Sequence, residues 1–296
     1  MRSVELSLHA ASAADVATEV CAFDRPALAP FAAILGSGCV HRIAAGTEFC
    51  ENLIAPPDDI LAIRDRTAAL GLPFTYLTPY VSDAGLARLR PVLAALAQRG
   101  GCEVVFNDWG VLRILRREFP PLAPVLGRLL NKSLRDPRIT GQLAETQHDT
   151  LAARSLRATN LDSSAYVDVL IASGVRRVEM DNLPQGLDLS TVDERFRVSV
   201  HAPFGFIATG RSCMAAGLGY EDTAKFAHGL PCRHECQSHQ VVFAYTNSPF
   251  ENRDQQFLLK GNTYFFEHTP LMTERLLTQH ARIDRLALAL RLPMYA

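Results

Sequence analysis

Three cysteines in the last third of the chain are the residues best suited to chemistry. Cys232 and Cys236 are separated by three residues, and Cys213 lies upstream in the glycine-containing segment Gly210 to Met214. Two thiolates about one helical turn apart can bind the same metal centre, and a third thiolate can approach from another side. In a reducing compartment, such a group is typical of metal binding rather than of disulfides.

A cubane 4Fe–4S cluster requires a fourth thiolate, and the chain offers four further cysteines. Cys39 is preferred because it follows a predicted strand and lies next to Gly38 in a turn. Cys50 is the second choice. Cys102 begins a predicted strand and would lie at its opposite end, while Cys21 is in a helix-like segment and is expected to be part of the core.

Two alternatives to a cluster follow from the same residues. Zinc accepts mixed cysteine and histidine ligands, and His228, His234 and His239 lie close to the cysteine pair in sequence. Free buried cysteines without any metal are also common in protein cores. Spacing by itself leaves an iron–sulfur cluster, a zinc site and buried thiols open.

The composition is that of a soluble globular protein. The 296 residues are 48% hydrophobic and 21% charged, and the net charge of −1 makes nucleic acid an unlikely partner. No apolar stretch approaches the ~20 residues of a membrane-spanning helix. The first residues lack the features of a signal peptide, so we expect a cytoplasmic protein.

Predicted strands and helices alternate along the first 200 residues, which indicates βαβ units and a parallel sheet. The number of units favours an α/β fold of the TIM-like (β/α) barrel type, complete or incomplete, over a short doubly wound sheet. We expect one domain over residues 1–296, with the barrel in 1–205 and a cysteine-bearing segment in 206–296 that caps the barrel mouth. The predicted strands are 4–9, 33–36, 73–77, 102–106, 125–126, 175–180 and 196–201; the predicted helices are 56–70, 82–98, 109–118 and 167–172.

Polar residues follow several predicted strands directly. In a barrel, the carboxyl ends of the strands form one rim where active sites lie, so these residues are expected to surround one pocket. The candidates for catalysis are Asp108, Glu179 and His201, and those for substrate binding are Asn107, Arg128, Asp181 and Asn182. Helix capping by Asn107 or Asp108 and a turn at Asn182 are alternatives without function.

Basic residues also follow the predicted strand at 125–126. Arginine binds carboxylates in a bidentate way, so Arg128 is a candidate for binding an anionic substrate. Arg135 and Arg138 are expected to lie on a solvated helix face, with Asp136 as a partner. Trp109, the single tryptophan, is expected to be part of the core.

Four segments together resemble the U-32 peptidase family, over about Leu35 to Phe265. The cysteine segments Gly-Arg-Ser-Cys at 210–213 and Leu-Pro-Cys-Arg-His-Glu-Cys at 230–236 are the most specific part of the resemblance. Leu-Gly-Ser-Gly-Cys-Val-His-Arg at 35–42 is similar to an early family segment, and Asn-Asp-Trp-Gly at 107–110 is similar to the N-D-x-G motif. Within the family, the similarity is to the iron–sulfur proteins of the UbiU and UbiV type.

The resemblance implies a 4Fe–4S cluster held by Cys39, Cys213, Cys232 and Cys236. It also implies oxygen-independent hydroxylation of a small anionic or aromatic molecule such as a quinone precursor, with prephenate as oxygen donor, and a heterodimer partner from the same family. A non-catalytic partner subunit, RNA hydroxylation and a zinc-stabilised binding protein are the alternatives. RNA is less favoured because the chain lacks the extra C-terminal domain of the RNA-modifying members. The longer gap between Cys213 and Cys232 leaves the substrate open.

Protease activity has no support from the sequence in spite of the family name. A protease requires an activated nucleophile or a metal with an open position. The chain contains neither G-x-S-x-G nor H-E-x-x-H.

Overall fold

A closed barrel of eight parallel strands forms the body of the molecule. The structure, a computed structural model, describes residues 4–20, 40–135, 150–227, 230–244 and 256–294. Around the barrel the strands follow the order β1, β12, β7, β6, β5, β4, β3, β2. Their bounds are β1 Glu5–His9, β2 Arg42–Gly46, β3 Phe74–Leu77, β4 Glu103–Phe106, β5 Ala123–Leu126, β6 Arg177–Asp181, β7 Arg197–Ala202 and β12 Ile283–Leu288. The closed barrel confirms the predicted fold class.

Helices connect most successive barrel strands, as the predicted βαβ units require, whereas a loop over residues 182–196 connects β6 to β7. They are α1 Ala13–Val20, α2 Pro57–Ala69, α3 Asp83–Gln98, α4 Trp109–Glu118, α5 Leu151–Arg157, α6 Ser164–Ala172 and α7 Pro270–Gln279. Local sequence explains their starts: Pro57 occupies the first turn of α2, Ser82 caps α3 by accepting from Gly85 N, and Asp108 caps α4 by accepting from Gly110 N. On α4, Val111, Leu112, Ile114 and Leu115 form the buried face.

A four-stranded antiparallel sheet is inserted between β7 and β12. It contains β8 Phe204–Thr209, β9 Val241–Ala244, β10 Gln256–Lys260 and β11 Thr263–Glu267, in the order β8, β11, β10, β9. The predicted boundary at residue 205 therefore gives too short a barrel, because the eighth barrel strand follows the insertion. The cysteine-bearing residues belong to this insertion rather than to a C-terminal cap.

The interior of the barrel is charged near the amino ends of the strands. Arg285 on β12 donates to Glu5 Oε2 at 2.9 Å and to Glu103 Oε2 at 2.6 Å, and Arg42 donates to Glu5 Oε1 at 2.6 Å. Arg177 pairs with Asp284 at 2.6 Å. Apolar side chains between the strands and the helices form the main core, and a second cluster around Phe49, Phe206 and Phe265 lies under the insertion.

Most of the predicted elements agree with the structure to within three residues at either end. The strand predicted at 33–36 lies outside the described residues, and the second barrel strand is Arg42–Gly46. Two barrel-forming strands, β2 and β12, were not predicted at their positions. Among the described residues, no helix combines the length and the apolar character needed to cross a bilayer.

Candidate functional site

The carboxyl ends of the barrel strands bring the predicted polar residues together, as expected for a barrel. Arg128, the second residue after β5, is 1% exposed. Its guanidinium donates to Glu48 Oε1 at 3.0 Å and Oε2 at 2.7 Å, to Asp181 Oδ1 at 2.7 Å and to the Phe204 carbonyl at 3.0 Å. One side chain therefore connects the ends of β2, β5 and β6 with the start of the insertion.

Arg135 completes this network, which corrects the expectation that it lies on a solvated face. Its guanidinium pairs with Asp181 and lies 3.8 Å from the centroid of the Phe206 ring. Burial by itself would raise the pKa of Asp181, but Arg135 and Arg128 outweigh burial and lower that pKa to about 2. Burial would likewise lower the pKa of Arg128, and the carboxylates of Glu48 and Asp181 outweigh it and raise that pKa. Arg138 lies outside the described residues.

Glu179 and His201 form a second buried pair at the same rim. Their atoms Oε2 and Nε2 are 2.9 Å apart, and both side chains are less than a tenth exposed. A carboxylate oxygen of Glu48 lies within 4.8 Å of a carboxylate oxygen of Glu179 and of a ring nitrogen of His201. These three residues are the one set in the described part of the chain with ligand atoms this close together, so they could also hold a cation. A cavity of about 40 Å³, which Glu48, Glu179 and His201 line, provides space for one water molecule.

The side chains of Asn107 and Asp108 bind backbone groups of the barrel rim and of α4. The sequence had left such a structural role open as an alternative to function. The Asn107 amide donates to the Thr78 carbonyl at 2.9 Å and accepts from Leu129 N at 3.0 Å, which joins the ends of β3, β4 and β5. The Asp108 carboxylate caps α4 at 2.6 Å. The Asn182 side-chain nitrogen is buried and has no hydrogen-bond partner among the described residues.

Four cysteines gather above this rim, in a place that we call the cysteine cavity. Cys50, Cys213 and Cys232 line a cavity of about 760 Å³, and Cys236 is buried beside them in the apolar cluster that also contacts Cys50 and Cys213. Cys50 follows β2, and the other three belong to the insertion between β7 and β12. The preferred fourth ligand, Cys39, lies outside the described residues. In the described structure, the fourth cysteine of this group is Cys50, the second choice from the sequence.

Short turns and one buried amide position these cysteines. Cys213 Sγ accepts from Ala216 N at 3.5 Å, and Cys236 Sγ accepts from the Gln237 side chain at 3.4 Å. Asn262, in the turn between β10 and β11, donates to the Phe49 carbonyl at 2.8 Å and to the Gly210 carbonyl at 2.7 Å. The sequence analysis missed Asn262, because nothing in the local pattern shows that this turn meets two distant loops.

Burial favours the neutral form of the thiols in the cysteine cavity. Burial, followed by the neighbouring Cys213, Cys232 and Cys236, raises the pKa of Cys50 to about 11. The pKa values of Cys213 and Cys236 are raised by the same two causes in the same order of size. These thiols are thus neutral unless positive charge is brought in, which is what a bound metal provides.

Zinc and an iron–sulfur cluster require different separations between their ligand sulfurs. A tetrahedral zinc ion with Zn–S bonds of about 2.3 Å holds its ligand sulfurs about 3.8 Å apart. Among the described residues, no three ligand atoms that include a cysteine sulfur lie within 4.8 Å of one another. His234 and His239 are exposed, and His228 lies outside the described residues. An iron–sulfur cluster, in which each thiolate binds a different iron atom, does not require its ligand sulfurs to lie this close together.

A third cavity lies beside the cysteine cavity and shares Tyr80 and Arg211 with it. It has a volume of about 310 Å³ and is lined by Trp109, Lys132 and the loop from Thr209 to Arg211, among others. Trp109 is 45% exposed, which corrects the expectation that it belongs to the core. The sequence could not show this, because the first residue of a helix can face either the barrel or the rim.

Comparisons with known proteins give no relative that decides the family. No family profile matches the chain, and no curated protein matches it. Similar solved structures include the U32 peptidase Mk0906, with 13% identity, a TM-score of 0.43 and coverage of 98% of this chain and 94% of that one. Human YKL-39, a pseudo-chitinase with retained chitooligosaccharide binding, shows 9% identity, a TM-score of 0.28 and coverage of 97% and 92%. A group IV chitinase from Ostrinia furnacalis shows 8% identity, a TM-score of 0.28 and coverage of 96% and 91%.

Proposed function

We propose that this chain is an iron–sulfur protein that holds a 4Fe–4S cluster through Cys50, Cys213, Cys232 and Cys236. The observation that carries the proposal is the convergence of these four cysteines, from two distant parts of the chain, around one cavity. A chance grouping of core thiols would not be expected at an open cavity of about 760 Å³ beside the rim of a barrel. The resemblance of the cysteine segments to the U-32 family supports Cys213, Cys232 and Cys236 as ligands, although it implies Cys39 rather than Cys50 as the fourth.

We further propose a role in oxygen-independent hydroxylation of a small anionic or aromatic molecule, as that resemblance implies. The bound cluster would supply one-electron chemistry or a binding position for the oxygen donor, for which prephenate is the candidate. The potential of the cluster would depend on its surroundings, which here include the hydrogen bonds from Ala216 N and Gln237 to the sulfurs. A cytoplasmic location and a partner subunit of the same family belong to this proposal.

The chain's own residues could handle the proton that a hydroxylation releases. Glu179 and His201 form a hydrogen-bonded carboxylate–imidazole pair at 2.9 Å. Such a pair can take up a proton on the imidazole and stabilise it through the carboxylate. The neighbouring Arg128 and Glu48 fix the geometry of the rim around the pair. Glu179 and His201 are therefore the residues that we propose for acid–base work, and Asp108 is less favoured because its carboxylate caps α4.

The experiment that tests the cluster is anaerobic iron and sulfide analysis with visible and electron-paramagnetic spectra. We expect about four irons and four sulfides per chain in the wild type. Cys50→Ala should lose most of the cluster, and Cys39→Ala should retain it. Cys102→Ala is the matched control, because Cys102 lies before β4 at the other end of the barrel and is not part of the cysteine cavity.

Each outcome of this experiment has a definite meaning. Loss of iron in Cys39→Ala with full retention in Cys50→Ala would return the fourth ligand to the residue first preferred from the sequence. A colourless wild type that binds zinc and no iron after anaerobic reconstitution would contradict the iron–sulfur proposal and support a zinc-stabilised protein.

A further inference from the structure

We propose that the cavity beside Trp109, the tryptophan cavity, binds a small planar aromatic anion, of the class of aromatic carboxylates. The cavity has a volume of about 310 Å³, which is at the lower end of the range for small-molecule sites. Its lining combines an exposed indole with Lys132 and Arg211. The proposal deepens the proposed function, since it gives the acceptor molecule a chemical class and a position.

The indole provides the surface for an aromatic ring. Trp109 contacts Tyr166 edge-to-face, with ring centroids 5.8 Å apart, and lies 6.3 Å from Phe106. These two rings and the cap of α4 at Asp108 hold the indole in one orientation, while 45% of the residue stays exposed at the cavity. A large aromatic side chain that is fixed but uncovered is suited to stacking with a ligand ring.

Two cationic side chains provide binding partners for the carboxylate of the ligand. Lys132 and Arg211 line the cavity, and in the described part of the chain neither has a carboxylate partner. Arg211 contacts the Tyr80 ring, with its Cζ atom 5.9 Å from the centroid. The one carboxylate of the lining, Asp108, accepts from the backbone nitrogens of Gly110 and Val81. Two cations thus face the cavity against one carboxylate, whereas Arg128 and Arg135 at the rim are paired with carboxylates.

The other two cavities are less suited to this ligand. The cavity beside Glu179 and His201 has about 40 Å³, which is too small for an aromatic ring. The cysteine cavity is lined by the proposed metal ligands. The tryptophan cavity adjoins it through Tyr80 and Arg211, and Tyr80 is fixed by hydrogen bonds to the Gly210 carbonyl and to Asn262. A ligand stacked on Trp109 with its carboxylate toward Arg211 would therefore lie next to the cysteines.

The test uses the single tryptophan as the probe. The full chain is titrated with 4-hydroxybenzoate, and binding is followed by tryptophan fluorescence and by calorimetry, before and after anaerobic reconstitution of the cluster. Phenol, which has the ring without the charge, and cyclohexanecarboxylate, which has the charge without the aromatic ring, are the comparison ligands. We expect 4-hydroxybenzoate to bind at least about tenfold more tightly than either, since it alone satisfies both the indole and the cations.

Variants assign the binding to this cavity. Lys132→Met and Arg211→Met should each weaken the binding of 4-hydroxybenzoate about tenfold and leave that of phenol unchanged. Arg113→Met removes the same charge from an exposed position of α4 outside the cavity and should have no effect. Trp109→Leu, followed by calorimetry, should weaken binding of both aromatic ligands. Circular dichroism confirms that each variant is folded.

Equal affinity for the three ligands, or unchanged affinity in both cation variants, would overturn the proposal. Its failure is distinguishable from failure of the proposed function. Binding of the aromatic anion by a chain that never takes up iron would support this site and contradict the cluster. A chain with four irons and no preference for the aromatic anion would support the cluster and contradict this site.

Discussion

Arg128 shows how one residue can organise a barrel rim. Its guanidinium donates four hydrogen bonds, to Glu48, Asp181 and a backbone carbonyl, in a place where water has almost no access. Buried ion pairs often contribute little net stability, because the cost of desolvation offsets the attraction between the charges. Removing one partner is different, since the remaining charges stay buried without compensation.

We therefore expect Arg128→Met to lower the free energy of unfolding by about 3–5 kcal/mol. The substitution leaves two carboxylates, Glu48 and Asp181, with only Arg135 nearby. Urea unfolding measured by circular dichroism gives the value. Arg113→Met, an exposed arginine on α4, is the matched control and should change stability by less than about 0.5 kcal/mol. Similar losses in both variants would show that the rim does not depend on this network.

His268, at the end of β11, makes stability depend on pH. Burial lowers the pKa of His268 to about 4 from its ordinary 6.5, and its ring nitrogens have no hydrogen-bond partners among the described residues. Between pH 6.5 and 4 the unfolded chain therefore binds a proton at this residue that the folded protein does not. Stability is fully present above pH 6.5 and is lost as the pH falls toward 4.

We expect His268→Asn to make the free energy of unfolding less sensitive to pH over this interval. One proton taken up on unfolding corresponds to a slope of about 1.4 kcal/mol per pH unit, so the slope should decrease by up to that amount. Urea midpoints at a series of pH values measure it. An unchanged slope would mean that His268 takes up its proton in the folded protein, too.

At the scale of elements, the sequence predicts best what local chemistry determines. The bounds of α4, Trp109–Glu118, were predicted to the residue, because the Asp108 cap and the apolar face are both local signals. The strand β12 was missed because its membership in the barrel depends on a return of the chain after a long insertion. Cys50 was the second choice because no local signal shows that the loop after β2 lies beside the insertion. The grouping of Cys213, Cys232 and Cys236, in contrast, could be expected from their spacing.

Asn262 connects elements that are distant in sequence, so its loss should affect both stability and metal content. We expect Asn262→Ala to cost about 1–3 kcal/mol, since the Phe49 carbonyl loses its donor and the Gly210 carbonyl keeps only the Tyr80 hydroxyl. Iron bound after anaerobic reconstitution should also fall, because the loops that carry Cys50 and Cys213 are no longer joined. Asn182→Ala is the matched control, since its buried side-chain nitrogen has no partner among the described residues. Full iron content in Asn262→Ala would contradict this positioning role.

At the scale of the whole molecule, the barrel closes only when the last described strand is added. β12 pairs with β1 on one side and β7 on the other, with registers such as Leu286 to Leu6 and Leu286 to Val200. Without it, two strands that form the closed barrel would have free edges, and Glu5 and Glu103 would lose Arg285. The insertion therefore lies inside the barrel sequence instead of following it.

We accordingly expect the fragment 1–205 not to fold by itself, although the sequence pattern alone suggested that it contains the barrel. Circular dichroism and urea titration of this fragment should show no cooperative transition, in contrast to the full chain. Adding the peptide 270–294, which contains α7 and β12, should restore some cooperative structure. A fragment 1–205 that unfolds cooperatively would show that seven strands suffice.

The positions of the four cysteines of the cysteine cavity also determine when a metal can bind during translation. Cys50 leaves the ribosome early, and more than half of the chain's length separates it from Cys213. A metal bound by all four can thus be inserted only after Cys236 has been synthesised, when Cys50 has existed for some time as an unprotected thiol. Once bound, the metal would cross-link the loop that carries Cys50 to the insertion. If oxygen destroys the metal site, we expect faster proteolytic cleavage within the insertion as the first effect.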